Sequence, residues 1–136
     1  MRVINKIFVD TLFVVALINQ RDQYHQRASE LADSLETQLL ITTDAVLLEI
    51  GNALARNYKN EAVEIIEHFF GSDEVEIVRL TPGLFAQAFT LYKTHQDKAW
   101  GLVDCISFVV MKQAEVSQAL TFDQHFVQAG FQALMR

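Results

Sequence analysis

Apolar residues in this chain follow two rhythms that replace one another along its length. Short runs of four to six residues alternate with longer stretches that carry one apolar face at helical spacing. Residues 6–10 form the first short run and predict a strand, followed at once by a helix over 12–19. Residues 22–37 have helical spacing, with Ala28, Leu31, Ala32 and Leu35 on one face. A second strand is predicted at 39–42, and Thr43 or Asp44 then reads as the N-cap of a helix running to about residue 58. A helix over 60–70 is stopped by Gly71, and Val75-Glu76-Ile77-Val78-Arg79-Leu80 alternates with period two, predicting a third strand. Thr81 caps the next helix, with Pro82 at its first position, and that helix reaches about residue 95. A helix from about residue 103 to 113, a strand at 119–122 and a short helical turn from Gln124 toward Gly130 follow, and 131–134 can add a last edge strand.

Strands alternating with helices imply a parallel sheet covered on both faces. The expected fold class is α/β: a three-layer α/β/α sandwich with a central, mostly parallel sheet of four or five strands. The longest non-periodic stretch is about 96–102, so one domain is expected over residues 1–136. Composition fits, with 51% hydrophobic residues, a single Pro and five Gly, which favours regular elements joined by short connections. The longest apolar run, 12–18, falls far short of the roughly 20 residues that cross a bilayer. That run is apolar on every side, which predicts complete burial in the core or at a subunit contact. Arg2 and Lys6 bracket too little apolar sequence before Asp10 for a secretory leader. The lone Cys105 cannot form an internal disulfide, so a cytoplasmic domain without membrane segments is expected.

The net charge of −6, from 17 acids against 11 bases, opposes simple electrostatic binding of nucleic acid. Four of the acids change that picture, because divalent cations would neutralise part of the charge. Asp10 ends Ile7-Phe8-Val9, Glu49 lies inside Val46-Leu47-Leu48-Glu49-Ile50, Asp104 opens Asp104-Cys105-Ile106, and Asp123 follows Ala119-Leu120-Thr121-Phe122. An ionised side chain in such apolar surroundings is rarely tolerated unless it is paired or binds a cation. In open parallel sheets ligands bind beyond the carboxyl ends of the strands, where Asp10 and Asp123 are expected. Asp104 opens a helix near the same rim and takes support from the dipole at that helix start. Stepping through the Glu49 helix places Val46, Ile50, Ala53 and Asn57 on the buried stripe, with Glu49 about 60° from Val46 at its margin. Four hard oxygen donors suit Mg2+ or Mn2+ and not zinc. Such a site activates water and neutralises charge on a phosphate undergoing in-line displacement. Each acid alone has an ordinary explanation: Asp10 and Asp104 as helix caps, Glu49 as a solvated boundary residue. Their coincidence at these points indicates a metal-dependent nuclease.

Other residues change the picture less. Asp97 sits beside Lys98 and Trp100 on a predicted loop and is a candidate for an outer contact to the site, against a plain solvated acid. Asp44 is expected to cap the Glu49 helix. His25, His68, His95 and His125 do not fall at paired ligand spacing, and His125, two residues from Asp123, is expected at the surface, with a contact to RNA phosphate as the alternative. Cys105 lacks an identifiable His base and is expected to pack as a small buried hydrophobe. Phe69, Phe70, Phe85 and Phe89 are expected mostly in the core, with some at a dimer or partner surface.

Four segments in order resemble PIN domains, particularly the bacterial VapC-like toxins: Phe8-Val9-Asp10-Thr11, Glu49-Ile50-Gly51-Asn52-Ala53-Leu54, Trp100-Gly101-Leu102-Val103-Asp104-Cys105, and Leu120-Thr121-Phe122-Asp123-Gln124-His125-Phe126. The resemblance spans residues 6–134 and departs at Gly101 and Val103, where Ser and Thr are common. It implies a Mg2+- or Mn2+-dependent endoribonuclease acting on RNA. Asp10, Asp104 and Asp123 would hold the metal, and Glu49 would bind it or orient the attacking water. Thr11 would assist through its hydroxyl, or simply cap the helix at Leu12. The same resemblance implies a VapB-like antitoxin partner and a homodimer. Two competing classes are a catalytically weak PIN-fold protein-binding module, to which the acidic charge and positions 101 and 103 point, and a phosphohydrolase with Asp10 as nucleophile. The second lacks both an acid adjacent to Asp10 and a Lys near the last strand.

Overall fold

Five short strands form one parallel sheet: β1 (Ile7–Val9), β2 (Leu40–Thr43), β3 (Val75–Val78), β4 (Gln118–Leu120) and β5 (Gln132–Ala133), in the order β3-β2-β1-β4-β5. They belong to a computed structural model that describes residues 5–136, so Arg2 of the N-terminal reading lies outside the described residues. Seven helices connect and cover the strands: α1 (Thr11–Ile18), α2 (His25–Ser34), α3 (Asp44–Leu54), α4 (Lys59–Gly71), α5 (Pro82–Thr94), α6 (Leu102–Gln113) and α7 (Gln124–Gln128). Right-handed crossovers place α1 to α4 on one face and α5 to α7 on the other. The packing agrees, with α1 against α2 and α3, α3 against α4, and α6 against both α5 and α7. The expected sandwich is present, with every strand pair parallel.

β1 sits at the centre, with Phe8 and Val9 fully buried. Phe8 stands opposite Ile41 on one side and Ala119 on the other. A strand covered on both faces has no polar side to show, which is why 7–9 reads as a continuous apolar run. Thr81 accepts the Leu84 N–H at 3.1 Å and Pro82 begins α5, as expected. Thr43, not Asp44, caps α3, through the Val46 N–H at 3.1 Å. The Asp44 carboxylate instead accepts the Leu80 N–H at 3.0 and 3.2 Å, tying the start of α3 to the chain leaving β3.

One further expectation is corrected and two are met in part. α3 ends at Leu54, and its buried stripe is Val46, Leu47, Ile50 and Leu54, whereas Ala53 and Asn57 are exposed. The two leucines carry more apolar area than Ala53 and Asn57, so burying them rotates the helix and turns the Glu49–Ala53 face toward the sheet rim. In α1 only Thr11, Phe13, Val14 and Ala16 are buried, and Leu12, Val15, Leu17 and Ile18 are half-buried along grooves. Of the four phenylalanines Phe69 is core, while Phe70, Phe85 and Phe89 stand roughly half exposed on outer helices, so most of the set lies at the surface and not in the core.

Aromatic packing joins α6, α7 and the loop ahead of α6. Phe126 is fully buried and meets Phe108 edge-on at 5.0 Å and 89°, and Phe108 meets Trp100 edge-on at 5.1 Å and 78°. Trp100 Nε1 donates to Gln128 Oε1 at 3.0 Å. Truncating Phe126 to alanine removes the fully buried ring that joins this cluster to Phe8 of β1 and is expected to cost about 3–5 kcal/mol, read as a lower denaturant midpoint at unchanged slope.

Candidate active site

Strand order reverses between β1 and β4, which are neighbours although β2 and β3 lie between them in sequence. Connections leave such a pair in opposite directions and open a crevice at the carboxyl ends. The chain leaves β1 at Asp10 and leaves β4 through Thr121 to Asp123. An open cleft of about 510 Å³ lies there, and Asp10, Glu49, Asp104 and Asp123 all line it, together with Thr11 and Asn52.

Asp10 is 5% exposed, and its Oδ2 accepts the Thr121 hydroxyl at 2.8 Å. It occupies the N-cap position of α1, but its side chain makes no capping bond. Burial pushes its carboxyl up to about 7; the negative charges of Asp104 and Glu49 add to the rise, and the Thr121 hydrogen bond opposes it. Asp104, in the first turn of α6, has its Oδ2 3.1 Å from the Gly101 N–H, so it serves the helix start and the cleft together. Burial again raises its carboxyl above the usual range, helped by the Asp123 charge and opposed by the Gly101 N–H and His125.

Glu49 Oε1 accepts the Thr11 hydroxyl at 2.7 Å, so Thr11 holds an acid and makes no cap. Asp123 caps α7 by accepting the His125 N–H at 2.9 Å, and its own N–H reaches Thr121 Oγ1 at 3.1 Å. The Thr121 hydroxyl therefore links the acid ending β1 to the acid following β4. Asp97 does not line the cleft; it lies in an exposed turn, 3.6 Å from Lys98 Nζ. Cys105 is fully buried and its thiol is pushed up to about 11 by burial and Asp104, which leaves it no thiolate for attack.

Thr121 escaped the sequence reading, and His125 was placed only in part. Thr121 is a hydroxyl in an otherwise apolar segment, and that contrast was its only signal. His125, expected at the surface, lies with Nδ1 3.2 Å from Asp104 Oδ2 and 3.3 Å from Asp123 Oδ1. Its signal was the Asp-x-His spacing across a helix start, where both side chains can turn to one side.

The donor chemistry fits a divalent cation. Ligand atoms of Asp104, Asp123 and His125 lie within 4.8 Å of one another, and among the described residues this is the group compact enough to hold an ion. Asp10 and Glu49 line the same cleft beside it, and burial with the neighbouring acidic charges raises the carboxyl of Asp10.

The profile of the PIN domain family matches residues 7–132. Over 125 residues the chain is 33% identical to the 23S rRNA-specific endonuclease VapC20 of Mycobacterium tuberculosis, covering 92% of this chain and 95% of the relative. The crystal structure of Mycobacterium tuberculosis VapC20, a sarcin–ricin loop cleaving toxin, superposes with a TM-score of 0.83 at 32% identity, over 92% of this chain and 95% of that one. FitAcB of Neisseria gonorrhoeae shares the fold at a TM-score of 0.63 and 17% identity, over 93% and 94% of the two chains.

Asp10 binds its proton more tightly folded than unfolded, so its contribution to stability is complete below pH 3.8 and is lost as pH rises through about 7. The loss in metal-free protein is on the order of 4 kcal/mol. Thermal melts should therefore show a lower Tm at pH 8 than at pH 5.5 without metal. Asp10→Asn should remove most of that difference, and Mn2+ should raise the wild-type Tm more at pH 8 than at pH 5.5. A metal-free difference that persists undiminished in Asp10→Asn would count against this assignment.

Proposed function

The chain belongs to the PIN-domain family, and we propose that it is a VapC-type toxin, an endoribonuclease that cuts RNA phosphodiester bonds with the help of Mg2+ or Mn2+. The observation that carries this reading is the convergence of Asp10, Glu49, Asp104 and Asp123 on one open cleft at the strand-order reversal. Relation to VapC20 along 92% of the chain supports a ribosomal substrate, the sarcin–ricin loop of 23S rRNA.

Asp10, Asp104 and Asp123 would hold the cation. Thr121 fixes the Asp10 carboxylate and the Gly101 N–H fixes that of Asp104, so neither acid has to find its position when RNA arrives. A divalent cation bound there supplies Lewis-acid stabilisation of the charge that builds on the phosphate and leaving oxygen. With one oxygen held by Thr11, Glu49 keeps a second oxygen that no side chain engages among the described residues. That oxygen would bind the cation or orient the attacking water and take its proton. No protein nucleophile is needed, which accords with the burial of Cys105. The cation also offsets repulsion between RNA and a chain of net charge −6.

A VapB-like antitoxin and a second copy of the chain are the proposed protein partners. Two exposed apolar surfaces suit such contacts: Leu48, Phe70 and Leu80 on one side, and the stacked Phe85, Phe89 and Tyr92 of α5 on another. The acidic charge, Gly101 and Val103 suit the non-catalytic binding module, and the presence of all four acids along the cleft weighs against it.

Ribosomes and isolated sarcin–ricin RNA should be cut in Mg2+ or Mn2+ and spared in chelator, mapped by primer extension. Asp104→Asn and Glu49→Gln are expected to lower the rate at least about 100-fold, the scale of losing one group that stabilises developing charge. Thr11→Val should lower kcat by about tenfold at unchanged KM, since it only orients Glu49. Folded, metal-loaded wild type that leaves ribosomal, transfer and structured RNA uncut would overturn the reading.

A further inference from the structure

The tightest ligand group at the cleft contains a nitrogen. His125 Nδ1 lies 3.2 Å from Asp104 Oδ2 and 3.3 Å from Asp123 Oδ1, and the three ligand atoms fall within 4.8 Å of one another. This imidazole is not a loose surface group. Its side chain is 22% exposed, the His125 backbone N–H donates to Asp123 Oδ1 at 2.9 Å, and the next residue, Phe126, is fully buried in the aromatic cluster.

Resting on the cation-dependent reading above, we infer that His125 is a direct ligand of the cation, completing with Asp104 and Asp123 a mixed carboxylate–imidazole site that favours a transition-metal ion over Mg2+. Mg2+ takes hard oxygen donors in near-octahedral geometry and keeps several waters, so a nitrogen adds little to its binding. Transition-metal ions accept imidazole readily, and their affinity for nitrogen-containing sites rises along the series from Mn2+ toward Ni2+ and Cu2+. With the Nδ1 lone pair on the ion, the ring proton resides on Nε2, and the neutral ring leaves the charge of the ion to be balanced by the carboxylates around it. The competing role is that of an orienting hydrogen-bond donor to the two acids, which would affect every cation alike.

The other histidines are elsewhere. His25 Nδ1 and His95 Nδ1 contact the Ala16 and Leu91 carbonyls, and His68 lines a groove with Phe69 and Ile65. A nitrogen signal from the bound ion is therefore assignable to His125. The probe is Mn2+ alone, read by electron spin-echo modulation for coupled nitrogen-14, with titration calorimetry of Mn2+, Co2+ and Mg2+. His125→Asn keeps a polar side chain facing the acids without an imidazole nitrogen, and His125→Gln serves if the first variant melts early.

Wild type should show imidazole nitrogen coupled to Mn2+, and the variant should lose it. Mn2+ and Co2+ should bind the variant about tenfold more weakly or worse, with Mg2+ affinity changed less than about twofold, as expected for a hard ion indifferent to the nitrogen. Mn2+ bound by wild type without nitrogen coupling, or equal weakening of Mg2+ and Mn2+, would overturn the ligand assignment and leave the functional reading standing. A wild type that binds none of the three ions would overturn both.

Discussion

A buried hydrogen bond between residues 111 positions apart, Thr121 Oγ1 to Asp10 Oδ2 at 2.8 Å, holds the rim of the acidic cleft together. It joins the ends of β1 and β4, the two strands between which the sheet order reverses. Without it, a carboxylate 5% exposed at the end of the central strand would have no side-chain partner, and burial of an unpaired charge costs several kcal/mol. The same hydroxyl accepts the Asp123 N–H, so the positions of two acids from opposite ends of the chain depend on one side chain. The parallel sheet creates the crevice, and Thr121 sets the acids within it.

The remaining acids are supported by packing on both sides of the sheet. Glu49 arrives on α3, whose rotation follows from burying Leu47 and Leu54, and Thr11 at the start of α1 holds its carboxylate. Asp104 and Asp123 arrive on α6 and α7, which the Trp100–Phe108–Phe126 cluster locks to each other. Hydrophobic burial therefore acts on the chemistry indirectly, by deciding how far apart four like charges are held. It holds them close enough that burial and repulsion keep the Asp10 and Asp104 carboxyls above their usual range, so the metal-free cleft is electrostatically strained.

That strain reconciles an acidic protein with an RNA substrate. A basic groove would attract RNA everywhere along its length, whereas this chain concentrates its cation requirement at the point of cleavage. Adding His125 beside Asp104 and Asp123 makes the identity of the cation part of the design. A site of carboxylates alone accepts Mg2+ and Mn2+ with little distinction, and one nitrogen changes that balance.

The sequence alone determined the features that depend on near neighbours in the chain. Apolar runs separated by helical periods specify a parallel sheet with helices on both faces, because only a strand buried on both sides dispenses with polar residues. Thr81-Pro82 announces the start of α5 through hydrogen bonds reaching three residues. An acid set against apolar strand ends marks Asp10 and Asp123 for the carboxyl edge. Tertiary structure alone decided what depends on strand order and helix rotation: that Leu54 and not Ala53 turns inward, that Thr121 joins two acids, that Asp97 pairs with Lys98 away from the cleft, and that Phe70, Phe85 and Phe89 stay at the surface. It also placed His125 between Asp104 and Asp123. Periodicity records which side of an element is apolar, but the partner across the sheet is chosen by packing between residues far apart in sequence. The convergence of side chains on one cation-sized volume is a property of that packing.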